Sequence, residues 1–182
     1  MKDERTQRAT ASKGNQYVVF RLGETRFGVE IGQVLRIVRL TPITRVPRAP
    51  HFLEGLVNYR GQVVPVVDLR KRLALPSEEE YGDAARILIV ELEASTEPAL
   101  STAEGLSRAA QPIGMLVDAV AGISRLPDES IEPPPEMVAQ VNGVYLTGVA
   151  HHEERLVVLL DLSRVLTVEE VAEMEAWCGR DH

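Results

Sequence analysis

Short runs of Val, Ile and Leu, broken by Gly, Pro and polar clusters, recur along almost the whole chain. Their length and β-branched content predict strands at Tyr17–Leu22, Arg26–Ile31, Val34–Leu40 and Gln62–Val67. The same pattern predicts further strands at Ile87–Leu92, Ile113–Val117, Gly143–Val149 and Leu156–Leu160. Gly23-Glu24 reads as a tight turn between the first two strands. Strands so short and so closely spaced suit small barrels or a sandwich better than a parallel α/β sheet. Helical signals are few. Pro50–Glu54 reads as a short turn ending at Gly55, and Leu69–Leu75 as a basic segment stopped by Pro76. Thr167 and Glu170 fit a capping box at the start of a C-terminal helix, with an acidic first turn that suits the helix dipole. The Ser/Thr/Ala/Glu/Pro-rich stretch 93–112 reads as a flexible insertion between two strands.

The pattern repeats. Phe27-Gly28-Val29, followed by Val34 and Ile37, is echoed by Ile113-Gly114-Met115, followed by Val120 and Ile123. Gly55-Leu56-Val57 returns as Gly148-Val149-Ala150, and Val63–Leu73 (VVPVVDLRKRL) as Leu156–Leu166 (LVVLLDLSRVL). Each unit is a hairpin, a connection, a Gly turn, a buried strand, an Asp and a short amphipathic segment. Two units of about 70 to 80 residues imply two similar small barrels, each near the lower size limit for an independent core. Tight mutual packing, with a groove between them, follows.

Composition excludes several classes. Hydrophobic residues make up 45% and charged residues 26%, enough for a real core. No apolar run approaches the roughly 18 residues of a membrane span. Met1 to Gln16 is polar, without the apolar region of a secretory signal, and reads as a disordered arm. Cys178 is the only cysteine, which leaves no disulfide framework and no cysteine-based zinc site, and points to the cytoplasm. The net charge is −7, unevenly placed: 14 Lys+Arg stand against 6 Asp+Glu through Arg72, and 6 against 21 after it. An acidic chain is a poor general binder of nucleic acid, whereas the basic first half could steer an acidic protein partner.

Candidate chemistry is sparse. Asp68 and Asp161 each end an apolar strand before a Leu and a basic or polar turn, a capping context rather than a catalytic pair. His151-His152-Glu153-Glu154 reads as a polar hairpin loop, since neighbouring strand residues point to opposite faces and cannot converge on one ion. No nucleotide-binding, zinc-protease or nucleophile motif is present, so neither an enzyme nor a cofactor is expected. Asn58-Tyr59-Arg60-Gly61 is different. Gly61 permits a positive φ, Asn58 can close the turn, and Arg60 would project from it as a rigid anchor for a protein partner. A structural role for Arg60, tying carbonyls or a carboxylate across the barrels, is the alternative.

The order YVVFRLGETRFGVEI, VLRIV, GLVNYRGQVVPVVDLR, RILIVEL, IGMLVDAVAGI, YLTGVA and LVVLLDLSRVL resembles the CheW family over nearly all of Tyr17 to Leu166. The resemblance implies an all-β fold of two intertwined, five-stranded SH3-like barrels with a shared apolar core, spanning 17–166 and followed by a C-terminal helix and tail over 167–182. It implies a non-enzymatic adaptor, linking the cytoplasmic tips of methyl-accepting chemoreceptors to the regulatory domain of a CheA-type histidine kinase. Such a protein is cytoplasmic and recruited to membrane-associated receptor arrays. A CheW-like adaptor of a pilus, gliding or other chemosensory-like pathway is the alternative; a CheV-type adaptor would need a receiver domain for which there is no room. Carried over by position, Ile31, Arg36, Arg60 and Gly61 match receptor-binding positions, and Val34 and Gly55 match kinase-binding positions. Two departures stand out: Tyr59 replaces a common Leu, and Arg36 often a carboxylate.

Overall fold

A computed structural model describes residues 16–76, 80–92, 111–136, 145–167, 170 and 174. Among these described residues, eleven strands form two sheets. Strands β1 (Gln16–Leu22), β2 (Thr25–Glu30), β3 (Val34–Arg39), β4 (Leu53–Tyr59) and β5 (Gln62–Asp68) lead into a one-turn helix, α1 (Leu69–Arg72). Then follow β6 (Arg86–Leu92), β7 (Gln111–Val117), β8 (Ala119–Arg125), β9 (Ile131–Glu132), β10 (Leu146–His152) and β11 (Arg155–Leu160). The five-stranded sheet runs β3-β6-β7-β5-β4 and the six-stranded sheet β8-β1-β2-β11-β10-β9. Among the described residues no helix is long and apolar enough to cross a membrane.

Strand order shows how the two repeats are intertwined. Each sheet takes two strands from one repeat (β1 and β2, or β6 and β7) and the rest from the other. Parallel seams join them, β2 to β11 and β7 to β5, at equivalent registers: Gly28 faces Leu159 in one and Gly114 faces Val66 in the other. The glycines are there because the seam is tight. A Cβ on Gly28 would stand 3.0 Å from Leu159 Cδ2, and one on Gly114 2.7 Å from Ile87 Cγ2.

Burial on both faces explains why these strands read as unbroken apolar runs rather than alternating ones. Val64, Val66, Ile87 and Ile89 fill one barrel, and Tyr17, Val19, Val157 and Leu159 the other. The intervening side chains, Val67, Leu88, Val90, Val18, Phe20 and Leu160, meet in a third cluster shared between the sheets. This is the expected shared apolar core. Each barrel is closed by the chain that follows its edge strand. Thr44 exchanges backbone hydrogen bonds with Leu56, both 2.8 Å, and β9 plays the same part beside β10. That two-residue β9 is why one sheet has six strands where five were expected.

Several elements differ from the sequence reading. The short turn expected over Pro50–Glu54 is present, closed by the Leu53 amide donating to the Pro50 carbonyl at 3.0 Å, but it ends at Leu53 rather than Gly55; β4 runs on through Gly55, which sits where its register with β5 shifts. β10 covers Leu146–His152, so His151 and His152 lie on the strand and the turn is Glu153-Glu154, both at positive φ. Gln111 and Pro112 belong to β7 rather than to the insertion, and Gln16 to β1 rather than to the arm. The Gly23 turn, the α1 segment and both aspartate caps are as expected. The arm before Gln16, the insertion from 93 to 110 and most of the C-terminal helix lie outside the described residues. Of that helix, Glu170 and Met174 are helical, the Glu170 amide donates to Thr167 Oγ1 at 3.2 Å, and Met174 is buried in the shared core.

Candidate functional site

Residues Tyr59 to Gln62 form the tip of the β4–β5 hairpin, and the tip is as sharp as the sequence suggests. Tyr59 pairs with Gln62, which leaves Arg60 and Gly61 as a two-residue turn with φ of 52° and 78°. Positive φ at both central positions matches the right-handed twist of the flanking strands. Asn58 Oδ1 accepts the Gly61 amide at 3.0 Å and locks the turn. Arg60 is exposed, with its guanidinium 5.4 Å from the centre of the Tyr59 ring. A non-glycine residue in the left-handed region costs about 1–2 kcal/mol. Tyr59 is half-buried against the interior of its barrel, so the departure from leucine serves packing as well as presenting Arg60.

Among the described residues Arg60 makes no bond across the barrels. That structural role falls to Arg70 and Arg72. Arg70 is buried: its Nε donates to Tyr81 Oη at 3.0 Å, its guanidinium lies 3.8 Å from the Tyr81 ring centre, and Nη1 pairs with Asp118 at 3.3 Å. Asp118 in turn accepts the Gly23 amide at 2.6 Å, which ties α1 to the first hairpin of the other sheet. Tyr81 donates to Asp68 Oδ1 at 2.6 Å, and burial, then that carboxylate, push its hydroxyl pKa well up. Arg72 Nε donates to the Val165 carbonyl at 2.7 Å. Removing one member of such a buried, satisfied network strands the rest, at about 1–3 kcal/mol or more.

The other candidate positions lie along one continuous run. A 3-10 turn, Ile31–Gln33, carries the chain from β2 in one sheet to β3 in the other. Ile31 is exposed there, Val34 is half-buried against the shared core, and Arg36 is exposed on β3. Among the described residues β3 is an edge strand paired with β6 alone, and it displays Leu35 (50% exposed) and Ile37 (40%). Gly55 is buried on β4, where a Cβ would collide with the Thr44 carbonyl oxygen. A partner cannot reach it. Gly55 can act only by allowing the Thr44 segment to close the barrel. The six positions thus fall in two groups, the Ile31–Arg36 run and the β4–β5 hairpin.

Gln33, missed in the sequence, lies between the two kinds of candidate residue. Its Nε2 donates to Asp161 Oδ1 at 2.7 Å, and its Oε1 accepts the Leu162 amide at 3.1 Å. One side chain therefore pins the crossover turn to the cap of the opposite repeat. Burial works against ionisation of Asp161, but the Ser163 hydroxyl, Gln33 and the Ser163 amide, with Arg164, outweigh it and hold its pKa below the usual 3.8. The echo puts Ala119 at the matching place, which cannot make such a clamp. The imidazoles of His151 and His152 do not converge: His151 faces Glu132 at 3.7 Å and His152 faces Glu153 at 3.8 Å.

Similarity to known proteins agrees with this geometry. A family model described as CheW-like domain matches residues 16–170. The chain is 31% identical over 170 residues to the chemotaxis protein CheW of Klebsiella aerogenes, covering 90% of this chain and 92% of that one. It is 29% identical over 168 residues to protein FrzA of Myxococcus xanthus, covering 91% and 94%. The crystal structure of the scaffolding protein TtCheW from Thermoanaerobacter tengcongensis superposes with a TM-score of 0.70 at 30% identity, covering 86% of this chain and 90% of that one. Sequence order, interleaved barrels and the hairpin carrying Arg60 all lead to one assignment: the chain belongs to the CheW-like domain family.

Proposed function

We propose that the chain is a chemotaxis coupling adaptor that holds chemoreceptor cytoplasmic tips beside the regulatory domain of a CheA-type histidine kinase. In this reading it works in the cytoplasm, at membrane-associated receptor arrays, by binding and geometry rather than by catalysis. Ile31, Arg36, Arg60 and Gly61 receive the receptor. Val34 contacts the kinase, and Gly55 keeps the neighbouring barrel wall in the shape the kinase meets. The observation that carries the assignment is the β4–β5 tip, where a charged residue is held in a strained left-handed conformation with its side chain in solvent. Such strain is retained where presentation matters more than stability. Because Gln33 ties the Ile31–Val34 turn to the other repeat, a receptor that displaces the turn would shift both sets of contacts together.

Co-purification of the full chain with its cognate kinase regulatory domain and a receptor tip tests the assignment. Arg60→Ala should lose the receptor and keep the kinase, and Val34→Glu should do the reverse, both folded by circular dichroism. Wild-type protein that binds neither partner at tens of micromolar would overturn the reading. The similarity to protein FrzA is consistent with a second, less supported reading, an adaptor of a pilus, gliding or other chemosensory-like pathway. Binding only the receptor and kinase of such a pathway would select it.

A further inference from the structure

One pair of like charges stands outside the candidate positions described above. β3 and β6 are antiparallel, with Arg39 directly opposite Arg86. Side chains so paired stand on one face with Cβ atoms about 4.5–5.5 Å apart, and like charges there oppose folding. Among the described residues neither arginine forms an ion pair. Arg86 is half-buried, and its Nη1 donates to the backbone carbonyls of Asp83 and Ala85 at 2.9 and 2.8 Å. Those bonds fix the plane of its guanidinium without neutralising its charge. Both arginines line one cleft with Leu40, Tyr81, Gly82 and Asp83; Asp83 is the single carboxylate of that lining and pairs with neither. The β3 side of the cleft is one-signed. From Ile31 to Leu53 there are four arginines, Arg36, Arg39, Arg45 and Arg48, all exposed, and no Asp or Glu.

We propose that the Arg39–Arg86 cleft is an anion-binding site that receives a carboxylate from an acidic segment of a protein partner. Two guanidinium groups side by side can share one carboxylate through charge-assisted hydrogen bonds, and the bound anion turns their repulsion into attraction for a third charge. The setting favours a protein segment over a small free anion. The cleft lies on an edge strand whose neighbouring exposed residues, Leu35 and Ile37, are apolar, so an acidic amphipathic segment would cover both kinds of surface. Only the identity of the partner rests on the coupling reading; the site itself does not.

Titration of the isotopically labelled full chain by NMR at low salt tests the site without any cognate partner. Hexaglutamate is the probe, with hexaglutamine and inorganic phosphate as comparisons. Hexaglutamate should shift the Arg39 and Arg86 side-chain Nε–H signals and the Tyr81 amide saturably, and hexaglutamine should not. Arg39→Gln and Arg86→Gln should each weaken the titration by about fivefold or more. Arg39→Gln should also melt at a higher temperature than wild type without peptide, because the repulsion is gone. Unmoved signals, an undiminished titration in Arg39→Gln, or saturation by phosphate but not by hexaglutamate would overturn the proposal. Should Arg86→Gln fail to fold, Arg39→Gln decides. A chain that binds neither kinase nor receptor yet gives the expected peptide titration would sink the coupling reading and leave this site standing.

Discussion

At Arg60, stability and presentation are set against each other, and the two can be separated by substitution. Glycine adopts the φ of 52° at no steric cost, so Arg60→Gly should raise stability by up to about 1 kcal/mol while abolishing receptor binding. Arg60→Ala should lose binding without that gain, and thermal melts beside pull-downs distinguish them. Asp161 gives a test in pH. Its carboxyl is held below 3.8, so its contribution to stability is complete above that value and disappears as pH falls through the lower, folded value. Asp161→Asn should therefore be less stable than wild type at about pH 6, with the gap closing as the solution is acidified towards about pH 2. Gln33→Ala should move that acid transition towards 3.8 and weaken partner binding, since it removes one of the lowering bonds and frees the crossover turn. Arg70 and Gln33 were not legible as special in the sequence for a shared reason. Their roles depend on partners far along the chain, Asp118 and Asp161, and nothing local separates Arg70 from Lys71 or Arg72.

Elements were legible where burial is two-sided and obscure where the backbone is irregular. The apolar runs of β1, β5, β6, β7 and β11 announce strands because both faces are covered. The start of β4 is obscure because Gly55, the residue that lets the wall close against Thr44, looks like the end of the Pro50 turn when only the sequence is seen. β8 was hidden by its mixed exposure and by Gly122, and β9 by its length of two residues. The glycine seams can be tested directly. Gly114→Val should cost about 1–3 kcal/mol or more through overpacking against Ile87 and Val66, measured by urea denaturation, because neither neighbour has room to move. The insertion makes a complementary prediction. Leu92 and Gln111 are directly paired, so a two-residue Asn-Gly turn can join them in place of 93–110. The shortened chain should keep its circular dichroism spectrum and melt within a few degrees of wild type.

For the molecule as a whole, the position of the repeats in the sequence is not their position in space. The echo correctly announced two alike barrels, but could not show that strands are exchanged, since register across β2–β11 and β7–β5 is set by pairs as distant in sequence as Gly28 with Leu159 and Val66 with Gly114. Cooperative unfolding follows, because neither sheet can be lost while the other remains complete. A chain cut at 77–79 should give two fragments that are each largely unfolded alone and that regain the native spectrum on mixing. Fragments that fold independently would contradict the exchange. The matched glycine seams also set what half of the chain can do alone. A peptide of one repeat's length holds two strands of one sheet and three of the other, and it could complete both only with a second such peptide. The chain thus has the architecture of a strand-swapped pair joined by one backbone, with Arg60-Gly61 at the hairpin tip of the first half and Glu153-Glu154 at that of the second.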